Sequence, residues 1–74
     1  MTVTVKLFAT FRTDRFAAEE REVVPGTRVR QLVDELGIEV GAIGVTMVNG
    51  RHVELDHELR QGEVLAIFPV IGGG

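Results

Sequence analysis

The chain has 74 residues, with eleven acidic against eight basic side chains, a formal net charge of −3 and no cysteine. That length holds one small domain with one core. The charge argues against a general nucleic-acid binder, which needs a basic surface, and the missing cysteine excludes disulfides, thiolate metal sites and a cysteine nucleophile. Hydrophobic residues make up 45% of the chain, which is a globular proportion. The longest apolar run, residues 64–71, is far shorter than the ~18 residues a spanning helix needs. No basic segment followed by an apolar stretch opens the sequence, so no leader is expected and a soluble cytoplasmic protein is the default expectation.

Residues 2–8 alternate, with Val3, Val5 and Leu7 on one face and Thr4, Lys6 and Phe8 on the other. Period two with β-branched residues predicts a half-buried strand. Phe8 is out of place on the face that should be wet. Residues 9–17 form a longer connection, expected to be a partly helical surface loop with Phe11 and Phe16 turned inward. Residues 20–24 read as a second strand pairing back on the first, and Pro25-Gly26 ends it. Thr27 is the expected N-cap of a helix whose apolar stripe is Val29, Leu32, Val33 and Leu36, at i, i+3, i+4 and i+7. Gly37 follows where a left-handed C′ residue is needed.

Residues 38–44 read as a loop and residues 45–48 as a strand. Asn49-Gly50 is the preferred pair for a two-residue type I′ turn, with residues 51–53 as a short return strand. Residues 54–61 are polar, with Leu55 and Leu59 as anchors and room for one helical turn. Residues 63–68 form the last strand, with Leu65 and Ile67 on one face and Val64, Ala66 and Phe68 on the other. Pro69 has no N–H to give a ladder, so regular pairing should weaken there. The order β, β, α, β, short β, β predicts an α+β design in two layers, a mixed sheet of about five strands with one helix on one face. Placing the first and last strands side by side and parallel in the centre gives a ubiquitin-like β-grasp.

Several pieces then match one family in order and spacing. They are Val5-Lys6-Leu7-Phe8-Ala9, Pro25-Gly26-Thr27 with Val29 and Leu32, Val48-Asn49-Gly50, Leu59-Arg60-Gln61-Gly62-Glu63, and the glycine ending. Together they resemble the ubiquitin-like sulfur carriers of the MoaD/ThiS family over essentially the whole chain, most closely the small subunit of molybdopterin synthase. The resemblance implies a carrier whose C-terminal glycine is adenylated and then converted to a thiocarboxylate. It implies an E1-like adenylating enzyme using ATP and Mg²⁺, a sulfurtransferase or other persulfide donor, and an acceptor. That acceptor is the large subunit of molybdopterin synthase or, alternatively, thiazole synthase or another acceptor. A protein modifier joined through the same glycine is a further alternative, and so is an interaction module with an inert tail. The chain itself would bind no cofactor, no nucleic acid and no membrane.

Aligned without a gap from Gly62, the molybdopterin-type ending puts its terminal glycine pair on Gly73 and Gly74, with Gly72 at a variable position. Gly74 is therefore the expected reactive carboxyl, with Gly72 and Gly73 slim enough to thread a narrow channel; the alternative match, slid by one residue, puts Val70 on the family's valine and makes Gly74 surplus. The sequence departs from that ending at Val70, where the family has a second proline, and at Ile71, where it has valine. Residues 70–74 are expected to be a flexible tail to a single domain spanning 1–74, reaching roughly 17 Å at ~3.3–3.6 Å per residue. Phe8, Ala66, Phe68, Pro69 and Val70 are the expected docking residues. His52 and His57, with Glu54, Asp56 and Glu58 around them, read as a solvated polar connection with no defined ligand geometry. Asp34 and Glu35 read as a solvated helix face, and Gly41 and Gly44 lack the Lys-Ser/Thr of a phosphate loop.

Overall fold

The computed structural model describes residues 1–70. Five strands, β1 (Thr2–Leu7), β2 (Ala18–Glu22), β3 (Ile43–Val48), β4 (Arg51–His52) and β5 (Val64–Pro69), form one sheet in the order β2-β1-β5-β3-β4. β1 and β5 lie parallel at the centre, with Val5 beside Leu65 and Leu7 beside Ile67. The other pairings are antiparallel. One helix, α1 (Val29–Glu35), packs on one face of the sheet. This is the mixed five-stranded β-grasp that the alternation and the helical stripe predict.

The core follows from parity. Val3, Val5 and Leu7 of β1, Leu65 and Ile67 of β5 and Val48 of β3 point one way, and Val29, Leu32 and Val33 of α1 meet them; all are buried. Phe11, Ile38 and Leu59 close the margins. Phe11 is thus turned inward as expected, and Phe16 packs half-buried against the same core. The connection after β1 holds one tight helical turn, Ala9–Arg12. Arg15 ties it to α1, donating from Nε to Leu36 O (3.0 Å) and from a terminal nitrogen to Gly37 O (3.3 Å). A guanidinium there satisfies carbonyls that the helix end leaves free.

Both ends of α1 show how local sequence sets structure. At the C-terminus Gly37 adopts φ +71°. Its N–H donates to Asp34 O and the N–H of Ile38 to Val33 O, which is the complete Schellman pattern. At the N-terminus the cap is Arg28, not Thr27. Thr27 is buried, and its hydroxyl donates to Val24 O at 2.7 Å, closing the preceding turn instead. The Arg28 N–H is taken by the Gln31 side-chain oxygen at 2.7 Å.

Residues 54–61 make no helical turn, and the reason lies in the same place. Two of their carbonyls are given to the start of α1: His57 O accepts from Val29 N, and Leu55 O from Arg30 N. These are two of the orphan donors that every helix start exposes. Leu59 N in turn donates to Thr27 O, and Arg28 reaches Asp56 O.

β2 begins and ends two residues earlier than the sequence suggests, at 18–22. Its limits are set by β1, which pairs Lys6 with Ala18 and Thr2 with Glu22. Val24 is left exposed beyond them. Asn49 and Gly50 both have positive φ, 50° and 80°, the signature of the expected type I′ turn. Asn49 also fixes the start of β5, accepting from Val64 N through its side chain and donating from its own N–H to Val64 O, both at 2.9 Å.

Gly37 is required by its backbone alone, since a Cβ there would meet nothing within 4 Å. Replacing it with alanine should cost about 1 kcal/mol, the penalty for a side chain in the left-handed region. Gly41 is equally uncrowded and has no positive φ, so Gly41→Ala should leave stability unchanged or slightly raised. Denaturant unfolding of the two variants side by side measures the difference.

Candidate functional site

Among the described residues, no layer covers the face of the sheet away from α1. Its rows run across the strands: Lys6, Ala66, Met47 and His52 in one, Phe68 and Val45 in the next. Phe8 stands one residue past β1, beside Phe68. Their rings stack with centroids 4.2 Å apart and planes 11° from parallel. Phe8 is held from behind. Arg12 donates from Nε to Leu7 O at 2.8 Å, and its guanidinium lies 5.4 Å from the Phe8 ring centre, a cation–π distance. Ala9 takes φ +51° immediately after, which turns the chain away and leaves the ring against the sheet.

Phe8, Val45, Met47, Val64, Ala66 and Phe68 are all half-buried. Together they make a continuous apolar surface over the centre of the open face. Toward the end of β5 it runs into a shallow groove of about 390 Å³ lined by Gly44, Val45, Met47, Phe68, Pro69 and Val70. Every lining residue is apolar or glycine. Val70 is exposed at 64%.

Of the residues singled out in the sequence, the structure brings Phe8, Ala66, Phe68, Pro69 and Val70 together at one end of the open face. Gly72, Gly73 and Gly74 lie outside the described residues. Sequence reasoning missed Val45, Met47 and Gly44 as members of the same surface. The signal was present in the alternation of residues 45–48. It was masked because the buried member of one pair is Thr46, a polar residue satisfied by donating to Val53 O at 2.7 Å.

The remaining polar candidates do not converge. His52 sits on β4 opposite Met47, whereas His57 sits in the segment that covers the start of α1. His57 Nε2 lies 3.2 Å from Glu63 Oε1, which also accepts from Arg60 N at 2.8 Å. That pair fastens the turn before β5. Among the described residues no group of three or more His, Cys, Asp or Glu is placed to hold a metal ion. A larger groove of about 520 Å³ beside α1 is lined by Arg30, Asp34 and Glu35 together with Val33, Ile38 and Val40. Its charges are mixed in sign and face solvent. Among the described residues, no helix is long and apolar enough to cross a membrane.

A β-grasp with one covered face, one apolar open face and a central strand leading toward a glycine ending defines a ubiquitin-like carrier or modifier. Residues 5–74 match the profile of the ThiS family, and the chain belongs to that family of ubiquitin-like sulfur carriers and modifiers. It is similar to a Pyrococcus furiosus protein assigned as molybdopterin converting factor subunit 1, with 33% identity, a TM-score of 0.78, and coverage of 96% of this chain and 99% of that one. The fold is shared with small archaeal modifier protein 1 of Haloferax volcanii, at 21% identity, 95% and 98% coverage and a TM-score of 0.77. It is shared too with a Helicobacter pylori protein–protein complex of subunits 1 and 2 of molybdopterin-converting factor, at 20% identity, full coverage of both chains and a TM-score of 0.69. No curated protein matches the chain.

A stacked aromatic pair contributes about 0.5–1.5 kcal/mol beyond its area. A double-mutant cycle of Phe8→Ala and Phe68→Ala, read by denaturant unfolding, should return a coupling near 1 kcal/mol. Each single variant should remain folded, because neither ring belongs to the core between sheet and helix.

Proposed function

We propose that this protein is a sulfur carrier whose Gly74 carboxyl is adenylated and converted to a thiocarboxylate, and that it supplies sulfur for molybdopterin. The observation that carries the reading is the double duty of β5. One strand forms the centre of the sheet, bears Ala66 and Phe68 on the open apolar face, and leads directly toward the glycine residues. A partner docked on that face is automatically placed beside the tail.

The chemistry asks little of the carrier. A carboxylate is a poor electrophile. An E1-like partner holding ATP and Mg²⁺ lets a Gly74 oxygen attack the α-phosphorus, and pyrophosphate leaves. The terminal sulfur of a persulfide then attacks the acyl carbon and AMP departs. Cleavage of the resulting acyl disulfide by a thiol leaves the thiocarboxylate. Every catalytic group belongs to the partners. The carrier contributes a rigid body to dock and a slim end to insert, as Gly72 and Gly73 permit.

Molybdopterin is favoured as the destination by the 33% identity with the Pyrococcus furiosus protein. The Helicobacter pylori complex shows a similar fold bound to a second subunit, the arrangement proposed here with a large catalytic subunit. A carrier for thiamine thiazole or another acceptor would use the same face and the same terminus. The likeness to small archaeal modifier protein 1 keeps conjugation through Gly74 to lysine as a second reading.

Intact mass separates these outcomes. Incubated with ATP, Mg²⁺, an E1-like enzyme and a persulfide source, the full-length chain should gain the difference between one sulfur and one oxygen. Deletion of Gly74 should abolish the gain with no loss of stability. A ladder of larger adducts would instead support conjugation. Phe68→Asp should weaken partner binding by roughly tenfold or more, as expected for a charge placed in an apolar contact, while far-UV circular dichroism stays that of the parent. An unfolded Phe68→Asp would place the ring in the core and remove it from the docking surface.

A further inference from the structure

We propose that Gly44 is a positioning residue for the carrier terminus, setting the heading at which the chain leaves the sheet at Val70; the inference rests on the carrier reading above. Three observations meet at this glycine. First, β3 pairs Ile43 with Pro69 but Val45 with Phe68, so Gly44 is the extra residue of a β-bulge. A bulge bends its strand and re-aims what lies across from it. Second, a Cβ on Gly44 would lie 2.8 Å from Pro69 O and 3.1 Å from both Pro69 C and Val70 Cα. Those atoms are all main chain, with no rotamer to relieve the contact. Gly44 is not among the glycines with positive φ, so glycine is needed here for space alone. Third, Pro69 has no N–H to give, and the pairing is finished by the N–H of Val70 donating to Ala42 O at 2.9 Å.

The bulge therefore lets two main chains approach closely at Pro69 and Val70, the residues from which the chain runs on toward Gly74. A hydrogen bond made possible by Gly44 holds Val70 to Ala42, just before β3. A methyl group at position 44 must lift Pro69 and Val70 away from β3 and lengthen or break the bond to Ala42. A reacting carboxyl must be placed within about half an ångström of its productive position, and misplacement by about 1 Å costs on the order of a hundredfold in rate. The stacked Phe8 and Phe68 rings keep their place on the docking surface, and only its Pro69–Val70 end shifts. The effect therefore falls more on the chemical step than on partner affinity.

The test compares the full-length chain with Gly44→Ala, using Gly41→Ala as a control, in two measurements. Amide hydrogen exchange should show Val70 N–H exchanging at least tenfold faster in Gly44→Ala, with Val5 and Leu65 unchanged. Steady-state pyrophosphate release, with an E1-like enzyme, ATP and Mg²⁺, should show kcat reduced about tenfold or more, with KM for the carrier changed by less than about threefold. A purely structural role would lower the unfolding midpoint without splitting kcat from KM. If Val70 exchange rises while kcat stays at the parent value, the tail absorbs the change in heading and the inference is overturned. Unchanged Val70 exchange overturns it as well. If the parent chain is never adenylated by an enzyme active on another carrier, the carrier reading itself fails, which is a different result. Should Gly44→Ala not fold, an ester in place of the Val70 amide, introduced by semisynthesis, removes the same donor without adding an atom, and the same loss in kcat is expected.

Discussion

One short helix cannot cover both faces of a five-stranded sheet. At about 1.5 Å per residue and about 10 Å in diameter, the seven residues of α1 make a block roughly 10 Å on a side. Five strands at about 4.8 Å spacing span roughly 20 Å. Even the covered face needs help at its margins, which Phe11, Leu55 and Leu59 supply from the loops around the helix. Among the described residues, nothing remains for the other side. The sheet is therefore two-faced by geometry, and what the sequence places on the bare face is a matter of chemistry. Polar residues would suffice for solubility. The chain instead places Phe8, Val45, Met47, Ala66 and Phe68 there, and the proposed docking surface is the direct outcome.

The way that surface is kept tidy is also physical. Phe8 and Phe68 hide much of their area against each other, and Arg12 lies near the back of the first ring. At one edge, β2 presents Glu19, Glu20 and Glu22, charges that discourage an unpaired strand from adding a second chain. At the other, β4 is two residues long and offers little backbone to pair with. The apolar area is thus confined to the middle of the face, while both open edges are unattractive.

Much of this was legible in the sequence. Alternation in residues 2–8 and 63–68, the helical stripe from Val29 to Leu36, the Asn49-Gly50 turn and Gly37 each have one strong local cause, and each led to the right element. Membership of the carrier family followed from the order of small motifs. The failures have other causes. The N-cap passed from Thr27 to Arg28 because the Thr27 hydroxyl closes the preceding turn on Val24 O. The 54–61 segment stayed irregular and β2 slid toward residue 18 because partners distant in sequence decided the outcome: the free N–H groups at the start of α1 and the length of β1. At the site, Phe8 and Phe68 could be read because an aromatic in a wet position is conspicuous. Gly44 could not, since its importance lies in the proximity of Pro69 and Val70, and a glycine in a loop-like stretch advertises nothing.

The parallel pairing of β1 with β5 has a consequence for how the molecule comes into being. The first strand to be synthesised finds its central neighbour in the last strand of the fold. Until residues 64–69 emerge, Val5 and Leu7 have only β2 beside them, and α1 has half a floor to pack on. A hairpin and a short helix are not stable alone, so folding must wait for the strand that leads to the terminus. Folding order and the proposed chemistry are thereby coupled. A chain cut short before β5 lacks the centre of its sheet and half of the proposed docking face. A chain that has folded has β5 in place, and with it the attachment point of the end proposed to react.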